Sequence, residues 1–240
     1  MNPAALRRAG GLALAILLAW PGLAGAQELN VDLGDGSVTL RTVQLIALFT
    51  VLSLAPGIAV TVTCFPFIVT VLSIMRQAIG LQASPPNMLI VSLALFLTYF
   101  VMEPVVMAAW EVGIGPLTRG EMDVAEAIPA AVEPFRNFMQ ARVDADTLAH
   151  LQDLRPEAEP GALSVLVPSF MLSEVSRAFQ IGFLVFMPFL IIDMVAAAIL
   201  MSMGMMMVPP AIVSLPFKLA FFVVVDGWTL VSGALVRSYL

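Results

Sequence analysis

Apolar positions fall into four long runs, at about 43–75, 88–110, 179–203 and 211–236, with polar residues gathered in the short turns between them and in one insert. Each run is long enough to cross a ~30 Å hydrocarbon layer as a helix. An even count with even spacing predicts two helical hairpins in an all-α membrane protein. A shorter run lies ahead of them: Arg7 and Arg8 precede Leu12 to Trp20, and Ala24-Gly25-Ala26 precedes Gln27. That layout predicts a secretory signal cleaved between Ala26 and Gln27, since the apolar stretch is only about half of the ~20 residues a span needs.

With the mature amino terminus outside, the turns at 76–87 and 205–210 fall inside and the polar insert falls outside. Arg76 in the first inner turn agrees with the positive-inside tendency. The insert is expected to be helical, because Val132, Phe135, Phe138, Met139, Val143 and Leu148 recur at spacings of three to five. Pro129, Pro134, Pro156 and Pro160 punctuate it. The expected organisation is therefore a signal at 1–26, an N-terminal segment and first hairpin at 27–110, an acidic periplasmic insert at 111–165, and a second hairpin at 166–240.

Composition agrees and narrows the class. Of 240 residues 60% are hydrophobic and 12% charged, against about 25% charged in an ordinary soluble domain. The net charge of −6 offers no basic face for nucleic acid. It resides in the insert, where ten acids face four arginines between Glu111 and Pro160, leaving seven against seven elsewhere. One cysteine, Cys64, and one histidine, His150, exclude an internal disulfide and a Cys/His metal site. No phosphate loop, dinucleotide fingerprint, paired-His helix or nucleophile elbow occurs, so neither an enzyme nor a cofactor is expected.

Each apolar run is interrupted by residues that lipid does not tolerate. The first holds Pro56, Gly57 and Pro66; the second Glu103-Pro104; the third Pro188 and Asp193; the fourth Pro216, Lys218, Asp226 and Gly227. A mid-helix Asp or Lys costs about 2.5–3.5 kcal/mol on insertion, while a leucine returns about 0.3–0.6. Interior prolines free backbone carbonyls that only protein or a cavity can satisfy. Bends are expected at Pro66, Pro188 and Pro216, and Arg76, Asp193 and Asp226 are expected to be buried against protein. Four helices supply few neighbours, so an oligomer or larger complex is implied.

Lys218 is the only lysine. An ion pair with Glu174 or Asp193 is expected, since an unpaired buried ammonium loses several kcal/mol. A proton or ion relay through Asp193, Asp226 and Lys218 is the alternative. Met201, Met203, Met205, Met206 and Met207 place five of the fifteen methionines within seven residues. Flexible, polarisable side chains suit a gate that closes around changing contents, although apolar filler at a helix end has the same composition. Pro66-Phe67-Ile68 before Pro85-Pro86 is echoed by Pro188-Phe189-Leu190 before Pro209-Pro210.

Ordered motifs then carry a resemblance. Leu166-Val167-Pro168-Ser169-Phe170, Ser173-Glu174, Ala178 to Phe183, Pro188 to Asp193, Gly204 to Met207, Leu215 to Lys218 and Val225 to Trp228 resemble the FliP family of flagellar biosynthesis proteins. Leu72 to Gln82 followed by Pro85-Pro86-Asn87 resembles the same family. The resemblance implies a type III export-gate subunit of the bacterial inner membrane at the flagellar basal body. It further implies a ring of identical subunits, a pentamer, completed by FliQ and FliR into a helical cone that passes unfolded flagellar proteins, with contacts to FlhA and FlhB. It assigns Met205, Met206 and Met207 to a channel gasket, and Glu174 and Lys218 to positions important for assembly. The family commonly has Thr-Ser-Phe-x-Arg where this chain reads Thr63-Cys64-Phe65-Pro66-Phe67, so its arginine is absent. The leader favours the flagellar branch over the injectisome homologue, and a small-solute transporter is the reading from another class.

Overall fold

The computed structural model describes residues 36–240 apart from 82, 83, 206 and 240. The expected cleavage point at Ala26 and Gln27 lies outside the described residues, as does Met206. Among the described residues there are helices and no strands. By internal contacts the chain divides into residues 1–53 and 54–240. The described part of the first unit is helical and opens α1, Gly36–Thr61.

Three features of the second unit set up its functional residues. The first is a buried central helix, α2, Phe65–Ile79. Pro66 stands in its first turn, where a missing N–H costs nothing, and Gly80 ends it at φ 89°. Phe67, Ile68, Val71, Leu72, Met75, Ala78 and Ile79 are all 2% exposed or less. The run expected at 43–75 is thus two helices parted at 62–64, and Pro66 starts a helix rather than bending one. Within the chain α2 is core, packed by α3, Asn87–Ala109, and by α6, Leu163–Ser202. Gly182 of α6 makes that approach possible, because a Cβ there would fall 2.4 Å from Ile74 Cδ1.

The second feature is the length of α6. It starts at Leu163, well before the expected Phe179, and its 40 residues at ~1.5 Å each run to about 60 Å. That is about twice a ~30 Å hydrocarbon layer. Pro168 and Pro188 lie within it. One face is buried through Leu166, Phe170, Glu174, Ala178, Phe189 and Leu200. Its other face stays apolar and exposed, through Leu172, Phe179, Phe183, Leu190, Met194 and Ile199.

The insert is the third. α3 runs on through a π turn, Trp110–Ile114, and a last turn, Gly115–Thr118, before α4, Val124–Arg142, and α5, Ala145–Asp153. The apolar stripe meets the core as its spacing predicts: Met139 packs on Leu166 and Phe170, with Phe138, Val143 and Leu148 around them. Pro129 and Pro134 fall inside α4 without breaking it. Pro129 lies on the exposed side, where water reaches the backbone its ring leaves unpaired.

The chain closes with α7, Pro210–Val224, and α8, Gly227–Arg237, which meet at 59°. That bend falls at Asp226, at φ 47°, and not at Pro216 within α7. Gly227 permits it, since a Cβ would fall 2.1 Å from Phe222 Cε2. Both Pro-Pro pairs lead into helices, α3 and α7, but Pro188 sits mid-helix where Pro66 opens one, so the sequence echo is only half structural. Helices long and apolar enough to cross a membrane are Arg41–Thr61, Asn87–Thr118 and Leu163–Ser202, with α7 and α8 together as a bent fourth.

Candidate functional site

Two clusters of charge lie inside this apolar body. The first surrounds Glu174, whose side chain is fully buried. Burying a carboxylate is tolerated only with counter-ions and donors. Arg142 from the end of α4 brings its Nε to 3.5 Å, and Arg177, one turn on, its Nη1 to 3.7 Å. The Tyr239 hydroxyl donates to the other carboxylate oxygen. Burial, and then the Glu174 charge, hold the Tyr239 phenol well above its ordinary range, so it remains a donor.

Arg142 ties the rest together. Its guanidinium lies 4.0 Å from the Tyr239 ring centroid and donates to the Ser238 carbonyl at 2.7 Å. Tyr239 also stacks on Phe138 at 6.1 Å and meets the edge of Phe67 at 5.5 Å. Ser173 Oγ accepts the Asp144 N–H at 3.0 Å, joining α5 to α6. The insert, α2, α6 and the C-terminal segment are therefore fastened at one point. Phe67, at the position where the arginine of the family motif is absent, fills that point with an aromatic ring. Cys64 beside it is fully buried, and burial pushes its thiol up to about 12, so it is inert.

The second cluster selects between the two carboxylates expected for Lys218. Lys218, 5% exposed, places Nζ 2.6 Å from Asp193 Oδ2 and donates to the Ala78 carbonyl at 3.1 Å. Ser214 donates to Asp193 Oδ1 at 2.5 Å. Within the chain Lys218 does not pair with Glu174; the two belong to separate clusters. The geometry has a helical cause. Ala78 lies in the last turn of α2, whose carbonyls lack intrahelical donors and carry the negative end of the helix dipole.

Other expected residues fall elsewhere. Arg76 is half-buried and donates to the Asn87 side chain and, at 3.3 Å, to the Pro85 carbonyl, closing the turn between α2 and α3. Asp226 is exposed rather than buried and makes no ion pair among the described residues. A relay of Asp193, Asp226 and Lys218 is accordingly not assembled within the chain; only two of the three meet.

The methionine-rich turn begins at a defined helix end. The Gly204 N–H bonds to the Met201 carbonyl and the Met205 N–H to the Leu200 carbonyl, with Gly204 at φ 75°. This is the paired closure of a helix by a left-handed glycine. Met203 just before it is 67% exposed, and Met207 beyond it 97%. Met205 turns back to line an apolar cavity of about 580 Å³ with Ile191, Val213 and Phe217. Among the described residues no three His, Cys, Asp or Glu side chains could hold a metal.

Sequence reasoning missed Arg142 and Tyr239. Arg142 was visible as one of the insert's four arginines, lying within its apolar stripe between Met139 and Val143, which is the available signal; nothing local singles out Tyr239.

Comparison with known proteins follows the same regions. A family model described as the FliP family matches residues 48–235. The flagellar biosynthetic protein FliP of Caulobacter vibrioides is 50% identical over 244 residues, covering 98% of this chain and 92% of that protein. Its counterpart in Agrobacterium fabrum is 46% identical over 94% of this chain and 97% of its own length. That of Bacillus subtilis is 45% identical, over 82% and 92% respectively.

Proposed function

The chain belongs to the FliP family of flagellar biosynthesis proteins, and on that premise we propose that it is a channel-forming subunit of the flagellar type III protein export gate. In this reading it sits in the inner membrane at the basal body, with α4 and α5 toward the periplasm. Copies of it form a ring, a pentamer by family resemblance, completed by FliQ and FliR into a cone of helical hairpins. FlhA and FlhB are expected neighbours, and unfolded flagellar proteins are the cargo.

The observation that carries the reading is α6. An apolar helix of 40 residues, about 60 Å long, cannot be matched to a ~30 Å hydrocarbon layer by ordinary tilt. Much of its exposed apolar face must then be covered by protein outside the lipid, as the wall of a multi-subunit assembly would cover it. Charges fastened at two levels along α6 support a rigid stave, and an exposed methionine turn supports a deformable seal. The relatives are flagellar biosynthetic proteins, which supports that branch over an injectisome.

Native mass measurement of the complex purified through this chain tests the reading. Several copies together with two other small apolar proteins are expected, and deletion of the gene should abolish flagellin secretion. A monomer that transports a small solute with saturable kinetics would overturn it.

A further inference from the structure

A groove of about 670 Å³ opens between α3, α7 and α8, walled by Ile79, Leu89, Leu93, Leu219 and Trp228. Among the described residues its one charged side chain is Asp226. That carboxylate caps no backbone N–H and joins no ion pair among the described residues. Its backbone sits at φ 47°, an uncommon left-handed conformation that aspartate tolerates better than most residues. Val223 and Val224 beside it are 74% and 83% exposed.

These features exclude the simpler occupants. Acyl chains would cover the valines but leave a carboxylate unpaired in hydrocarbon, midway along the bent pair Pro210–Val224 and Gly227–Arg237. Water would solvate the carboxylate against a wall of leucine, isoleucine and tryptophan. A protein helix with an apolar surface and one cation satisfies both. A second copy of this chain lacks such a cation at the right level. Of the cations that join no ion pair among the described residues, Arg76 is held by the Asn87 side chain and the Pro85 carbonyl of its own chain, and Arg41 and Arg237 stand at the ends of apolar helices rather than within them.

We propose that this groove receives an apolar helix of a different subunit, bearing a single lysine or arginine inside its apolar stretch, and that this cation pairs with Asp226. The inference rests on the reading of the chain as one member of a mixed membrane assembly. Apolar contact gives the groove its affinity, and the buried charge fixes the register of the incoming helix, as one polar pair does in other helix seams.

Photo-crosslinking tests it in cells whose only copy is the full-length chain carrying p-benzoylphenylalanine at Val223. The control position is Ile212, 68% exposed and off the groove. At Val223 one product is expected, joined to a different protein at a peptide with Lys or Arg within a turn in an apolar segment. Asp226→Lys should reduce that product about tenfold or more, and changing the partner's basic residue to Asp should restore it. Asp226→Asn guards against misfolding: it should weaken the product while the control product at Ile212 persists. A product with a second copy, with lipid alone, or with a segment lacking a basic residue overturns the proposal, as does failed restoration. Native mass of the same preparation separates the two claims, because an intact mixed complex with the wrong Val223 product removes only the groove assignment.

Discussion

Lys218 and Asp193 face each other at 2.6 Å across α7 and α6, and the same ammonium closes the C-terminal end of α2 through the Ala78 carbonyl. Three helices therefore depend on one side chain. Removing one member of a buried pair strands the other, at about 3–5 kcal/mol, whereas replacing both by apolar groups is often close to neutral. Asp193 is 32% exposed, so water offsets part of the loss. Lys218→Met should cost about 2–4 kcal/mol in denaturation of the purified protein. Lys218→Met with Asp193→Leu should recover most of it, and exchanging Lys218 and Asp193 should recover more than exchanging Lys218 and Glu174. Equal recovery by both exchanges would refute the pairing.

Tyr239 makes a separable prediction. Tyr239→Phe keeps the ring against Phe67 and Phe138 but removes the donor to Glu174. A hydrogen bond to a buried charge is worth about 1.5–3 kcal/mol, and that loss should appear in the unfolding midpoint. Truncation before Ser238 should cost more, because Arg142 then loses its carbonyl acceptor and its aromatic face as well. If Tyr239→Phe is as stable as the parent, the C-terminal segment is not a fastening.

Close packing of α2 on α6 is tested at Gly182. A methyl group there meets Ile74 Cδ1 at 2.4 Å, so Gly182→Ala should destabilise by about 1–3 kcal/mol. Ile74→Val beside it makes room, and the double variant should be more stable than Gly182→Ala alone. Thermal unfolding of the three variants decides the point; a double variant no better than the single would place the strain elsewhere.

What could be read in the sequence divides along a physical line. Helical content, the insert's stripe from Phe138 to Leu148, and the need to pair Lys218 all follow from local composition or spacing. Which carboxylate pairs with Lys218 does not, because Asp193 and Glu174 are both reachable on paper and only the packing of α7 on α6 selects one. Pro66 and Pro216 were expected to bend helices, yet proline is harmless in a first turn and the sharp bend needs the left-handed Asp226 before Gly227. Arg142 and Tyr239 reach Glu174 from far along the chain, and no period in the sequence connects them. Asp226 was expected to be buried because it interrupts an apolar run, but covering it can fall to another polypeptide.

Acid sensitivity of the insert follows from Asp144. Hydrogen bonds from the Thr147 N–H and hydroxyl, each at 2.9 Å, hold its carboxyl below the ordinary 3.8 at the start of α5. A depressed folded pKa stabilises the helix above the ordinary value, and the contribution disappears as pH falls through the folded value. Protease cleavage within Ala145–Asp153 should therefore increase as pH is lowered from about 5 to about 3. Asp144→Ala should cleave readily throughout and lose that carboxylate's contribution to the pH dependence. An unchanged acid profile in Asp144→Ala would show that another carboxylate governs the loss.

Sealing by the methionine turn can be tested because Met203 and Met207 are largely exposed and contribute little to the chain's own core. Met207 is 97% exposed, and the preceding helix end is fixed by backbone bonds at Gly204 and Met205 rather than by side chains. Replacing Met205, Met206 and Met207 together by Ala should leave folding and complex mass nearly unchanged. What it removes is flexible apolar volume at the loop tip, and a ring of shortened loops closes less tightly. Membranes containing the variant should therefore leak small ions at rest, measured as dissipation of an imposed gradient, while flagellar export continues. Leu replacements keep apolar volume and should leak less than Ala. A tight membrane with normal motility in the Ala variant removes the gasket role, and loss of the complex would make the turn an assembly contact instead.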